Sequence, residues 1–67
     1  MKTRRETLRT LAQAVGVTYR IEYDQTAPLP WAVWTTGDDG IQDIIGAAYT
    51  REGAIEDARK QLRAWLP

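Results

Sequence analysis

The hydrophobic period of this chain changes once, at Gly16-Val17, and that change limits what it can fold into. Leu8, Leu11, Ala12 and Val15 recur at the spacing of one helix face. From Val17 onward, Tyr19, Ile21 and Tyr23 alternate with Thr18, Arg20 and Glu22, as in a half-buried strand. Gly16 stands where a left-handed helix cap is expected, and Thr3 with Glu6 has the spacing of a capping box. Together these predict a first helix over residues 4–15. Asp24 to Pro30 holds two prolines among turn formers and reads as a loop. Trp31 to Thr36 is a second strand, Gly37-Asp38-Asp39-Gly40 a tight turn, and Ile41 to Tyr49 a third strand antiparallel to the second. Thr50 is a good N-cap, Glu52 suits the positive end of a helix dipole, and Arg59, Lys60 and Arg63 suit the negative end. A last helix is therefore expected over residues 51–66, with Ala54, Ala58, Leu62 and Trp65 on its apolar side and Ile55 and Leu66 widening the stripe. Gly53 weakens that helix by about 1 kcal/mol relative to alanine, which points to close packing there or to nothing at all. The resulting expectation is an α+β fold: helix, three-stranded antiparallel meander, helix (αβββα), with both helices on one sheet face.

The chain is short, and its chemistry is narrow. At 67 residues it forms a single domain, residues 1–67, near the size at which one core gives only a few kcal/mol of net stability. It has no Cys and no His, which removes disulfides, a thiolate nucleophile, an imidazole base and the usual zinc ligands. Folding must rest on apolar burial. Three Trp and three Tyr make that feasible, since a buried aromatic removes roughly 150–250 Å² from water. No apolar run is long enough to span a bilayer, and the basic start leads into no signal-peptide hydrophobic region, so the expected compartment is the cytoplasm.

Zero net charge conceals an uneven distribution. Lys2, Arg4, Arg5, Arg9 and Arg20 against Glu6 leave residues 1–20 at +4. Arg51 against eight carboxylates leaves residues 21–57 at −7, and Arg59, Lys60 and Arg63 make the remainder +3. An acidic middle repels a polyanion, so nucleic acid is disfavoured as a partner. Asp38, Asp39 and Asp43 lack the ligand count of a calcium loop and read as turn chemistry, and Glu56-Asp57 reads as a solvated helix face. No metal, cofactor or catalytic residues are expected.

The element order, together with Leu8-Arg9-Thr10-Leu11-Ala12-Gln13-Ala14-Val15-Gly16 and Gly46-Ala47-Ala48-Tyr49-Thr50-Arg51-Glu52-Gly53-Ala54, resembles the double-stranded-RNA-binding domain over nearly the whole chain. The first stretch matches the family's Leu-x-x-Leu-Ala/Tyr-Gln-x-x-Gly helix, and the second its Gly-rich strand exit and Ser-Lys-Lys-x-Ala helix entry. These are core positions. The family's RNA contacts depart from the pattern. Thr10 stands where a Glu commonly reads a minor-groove edge, and Ala27-Pro28-Leu29-Pro30 replaces a Gly-Pro-x-His loop. Arg51, Glu52 and Ile55 replace a Lys-Lys-x-Ala-Lys phosphate clamp. Residues 31–66 also resemble small strand-strand-strand-helix domains such as HicB-type antitoxins, through the Ala64-Trp65-Leu66 ending, and the topology is similar to that of phage-integrase arm-binding domains.

These features predict a non-enzymatic module that recognises another protein, as a regulator or inhibitor of a larger phage or bacterial complex. If Trp31, Val33, Tyr19 and Ile21 face the helices, alternation leaves Trp34, Arg20 and Ile44 on the open sheet face as the candidate protein-binding site. The alternative is binding of double-stranded RNA or another nucleic acid through Arg4, Arg5, Arg9, Arg51, Arg59 and Lys60.

Overall fold

The computed structural model describes residues 7–66. Two helices and three strands follow in the order α1 (Leu8–Val15), β1 (Thr18–Tyr23), β2 (Trp31–Thr36), β3 (Gln42–Ala48) and α2 (Arg51–Trp65). The strands form one antiparallel sheet in the order β1-β2-β3, so the expected αβββα meander is the fold.

Helix α1 starts later than the sequence predicts. Thr7 is extended, at φ −99° and ψ 163°, and caps the helix. Its hydroxyl accepts from the Thr10 amide at 3.2 Å, while its own amide donates to the Thr10 hydroxyl at 3.0 Å. A capping box is present, but it is closed by Thr10 rather than by Glu6. An extended residue at position 7 rules out one continuous helix from residue 4, and the expected Thr3–Glu6 box lies outside the described residues. At the other end Gly16 adopts φ 91°, a left-handed conformation that an L side chain resists, and its amide bonds back to the Ala12 carbonyl at 2.9 Å.

Both helices pack on one face of the sheet. Leu8, Leu11 and Ala12 of α1, Val33 of β2, Ile45 of β3 and Ala54, Ala58 and Leu62 of α2 form one buried cluster. Helix α2 lies against β3 through small residues. A β-carbon at Gly46 would run into the Ala54 carbonyl oxygen and come within 2.8 Å of the Ala58 nitrogen. One at Gly53 would lie 2.9 Å from the Ala48 β-carbon. Close packing is thus why α2 tolerates a glycine in its first turn.

Three expected core residues, Trp65, Tyr19 and Trp31, are less buried than that expectation requires. Trp65 is 40% exposed, because it falls in the last turn of α2, where Leu66 rather than Trp65 packs against the cluster. Tyr19 is 37% exposed and Tyr23 57%, because β1 is an edge strand; only Ile21 of its helix-side residues packs against the core. Trp31 is half-buried, packed on the core and against Tyr23 at a ring-centroid distance of 4.9 Å.

Candidate functional site

The open face of the sheet is built by cross-strand pairing. Arg20 lies opposite Trp34 in the β1–β2 ladder, and Trp34 lies opposite Ile44 in the β2–β3 ladder. The three residues named from alternation are therefore adjacent across all three strands.

A β-bulge makes the third of them possible. Val33 pairs with Gly46 but Trp34 pairs with Ile44, so Ile45 is an extra residue on β3. In a regular ladder Ile44 would share the helix side with Gly46. The bulge instead turns Ile45 inward, where it is buried, and leaves Ile44 53% exposed beside Trp34.

Arg20 organises this face. Its guanidinium carbon sits 5.3 Å from the centroid of the Trp34 ring, within cation–π range. Its Nε donates to Glu22 Oε2 at 2.6 Å and its Nη1 to Gln42 Oε1 at 2.8 Å. The side chain thus spans from β1 over β2 to β3 and partly covers the indole, which is half-buried rather than exposed. The outcome is a flat patch with an aromatic centre, a cation held over it and an aliphatic flank.

The candidate nucleic-acid residues divide between two sides of α2. Arg9, Arg51 and Arg59 line one groove, of about 390 Å³, between the start of α1, α2 and β1, together with Tyr19, Ile21, Ile55, Glu52 and Glu56. Arg59 is largely sequestered there: its side chain is 11% exposed, it pairs with Glu56, and its Nε is buried without a hydrogen-bond partner. Lys60 lines a different groove, between α2 and β3, with Asp57 and Gln61. Arg4 and Arg5 lie outside the described residues.

Thr10, one of the positions that correspond to RNA contacts in the resembled family, has a local partner, as do two aspartates in the loops. The Thr10 hydroxyl donates to the Thr7 carbonyl at 2.9 Å as part of the cap. In the β1–β2 loop, Asp24 accepts from the Thr26 hydroxyl at 2.6 Å and from the Thr26 amide at 3.0 Å. Those two bonds hold the Asp24 carboxyl below the ordinary carboxylate range. In the β2–β3 turn, Asp39 accepts from the Ile41 amide at 3.0 Å. Among the described residues, no group of three or more His, Cys, Asp and Glu side chains is arranged to hold a metal ion. No described helix is long and apolar enough to cross a membrane.

No protein-family model matches this sequence, and neither a curated protein nor a solved structure is significantly similar to it.

Proposed function

We propose that this domain is a non-enzymatic binding module that recognises another protein through its open sheet face. The observation that carries this reading is the Trp34–Arg20–Ile44 patch: an indole under a guanidinium, with a half-exposed aliphatic side chain across the ladder. Trp and Arg are the residues most enriched where interface energy concentrates, and a flat, mixed apolar and cationic surface suits a folded partner better than a small ligand. A regulator or inhibitor of a larger complex is the role that fits a domain with so little other chemistry.

Nucleic-acid binding is the second reading, favoured by the convergence of Arg9, Arg51 and Arg59 on one groove. Two carboxylates share that groove, and Glu56 already neutralises Arg59. Phosphate affinity depends on uncompensated cations, so this surface is the weaker candidate.

One comparison separates the readings. A protein partner is identified by affinity capture, and its affinity is then measured for Trp34→Ala and for Arg51→Ala. Trp34→Ala is expected to weaken binding by about thirtyfold, equivalent to about 2 kcal/mol, and Arg51→Ala to leave it unchanged. In parallel, a duplex RNA of about 16 bp, the span of a typical double-stranded-RNA-binding domain, is titrated near physiological salt and should bind weakly or not at all. Submicromolar, salt-sensitive RNA binding that is lost in Arg51→Ala overturns the protein-binding reading.

A further inference from the structure

Strand β1 is an edge of the sheet, and apart from the charged Arg20 and Glu22 its residues carry few of the usual protections. It carries no proline, no lysine and no bulge, and its ladder with β2 is regular over all six residues. The Asp24 amide bonds to the Pro30 carbonyl at 2.8 Å, in continuation of that ladder. Since hydrogen-bonded pairs alternate along an antiparallel ladder, Thr18, Arg20 and Glu22 direct their backbone groups to β2. The N–H and C=O groups of Tyr19, Ile21 and Tyr23 consequently point outward, away from the sheet.

We infer that this edge pairs with the same edge of a second copy, in an antiparallel, two-fold symmetric dimer centred on Ile21. The register follows from charge. An antiparallel neighbour must bring outward-pointing residues opposite one another, which confines a self-pairing to a few registers. Centring on Arg20 would oppose two arginines, and centring on Glu22 would oppose two glutamates. Centring on Tyr23 would set Glu22 against Asp24, and centring on Tyr19 would leave Arg20 against Thr18 and Glu22 against Gly16, with no ion pair. Centring on Ile21 sets Arg20 against Glu22 twice, Tyr19 against Tyr23 twice, and Ile21 against itself.

The same register satisfies the backbone. Tyr19, Ile21 and Tyr23 would each exchange both hydrogen bonds with their opposite residue. Arg20 and Glu22 would form the non-hydrogen-bonded pairs, in which side chains approach most closely. Exposed Tyr19 and Tyr23 would gain aromatic partners on the helix side, and Arg20 a second carboxylate on the open side. The two sheets would join into one of six strands. This inference shares Arg20 with the partner surface proposed above but does not need Trp34, which lies on the central strand and makes no part of the edge.

The test is sedimentation of the wild type, of Arg20→Glu and of Glu22→Arg. Both side chains are nearly half-exposed, so neither change threatens the core. The wild type is expected to be dimeric. Each single variant opposes like charges across the two-fold axis and should raise the dimer dissociation constant by about tenfold or more. An equimolar mixture of the two variants should recover a dimer, because positions 20 and 22 are then both acidic in one copy and both basic in the other. Amide hydrogen exchange at Tyr19, Ile21 and Tyr23 should be slow in the wild type and fast in each single variant. Trp34→Ala should remain dimeric. A wild type that stays monomeric at submillimolar concentration overturns the inference. So does a dimer indifferent to both charge reversals, or one whose exchange protection falls on β3 instead.

Discussion

Gly46 shows how one side chain, or its absence, sets the approach of a helix to a sheet. The backbone of α2 occupies the space where a β-carbon would stand, at the Ala54 carbonyl and the Ala58 nitrogen. These are backbone atoms that cannot rotate away, so Gly46→Ala must displace α2 from β3. An overpacked core position of this kind is destabilised by about 1–3 kcal/mol or more, and urea denaturation should show it. Gly16→Ala is the matched control, because nothing lies within 4 Å of its added carbon and only the left-handed φ of 91° opposes it. It should lose about 1 kcal/mol. At the same scale, the neighbours of Trp34 were legible in the sequence. Strand alternation puts Arg20 and Trp34 on the same face, and their cross-strand pairing follows once the β1–β2 loop fixes the register. The fate of Trp65 was not legible. Its helical position lies on the apolar side of α2, yet burial also requires something to cover that turn.

Among the elements, β1 and the loop that leaves it tie pH to stability. The Asp24 carboxylate accepts two hydrogen bonds from Thr26, first from the hydroxyl and then from the amide, and both favour its charged form. A carboxyl whose folded pKa is depressed stabilises the fold above its unfolded pKa and loses that contribution as pH falls through the folded value. The loop should therefore loosen only in acid, below the range in which an ordinary aspartate titrates. An NMR titration should place the Asp24 midpoint below that of a free aspartate side chain, and Thr26→Ala should move it upward by removing the hydroxyl donor. An unmoved midpoint would show that the hydroxyl bond does not set the shift. Helix α1 illustrates the limits of local signals in a different way. Thr3–Glu6 and Thr7–Thr10 both have capping spacing; the described helix is capped at the second, and the first lies outside the described residues.

For the whole molecule, stability rests on a few side chains. Leu62 and Val33 are the largest that are fully buried, and the seam between α2 and β3 is made of glycine and alanine. Leu62→Ala is expected to lose about 2–5 kcal/mol, most of what a domain of this size has, with a collapse of the urea midpoint. Trp31→Ala should lose less than the about 3–5 kcal/mol of a fully buried aromatic, because that ring is only half-buried and leans on Tyr23. If Trp31→Ala proves the more damaging of the two, the core is centred nearer the β1 edge than the buried cluster indicates.

Local signals were enough to establish the order of the elements, because a switch from period 3.6 to period 2, the turn residues and the Thr50 cap are properties of short stretches of chain. They were also enough to assign Val33 to one face of β2 and Trp34 to the other. The extra residue in β3 was settled only in the folded molecule. Ile44, Ile45 and Gly46 offer no local preference for a bulge; it arises because Gly46 must meet α2 while Ile45 also finds room in the core. Long-range packing likewise set the exposure of Tyr19, Tyr23 and Trp65. Alternation and helical spacing specify a direction for each side chain, whereas burial depends on whether another element stands in that direction.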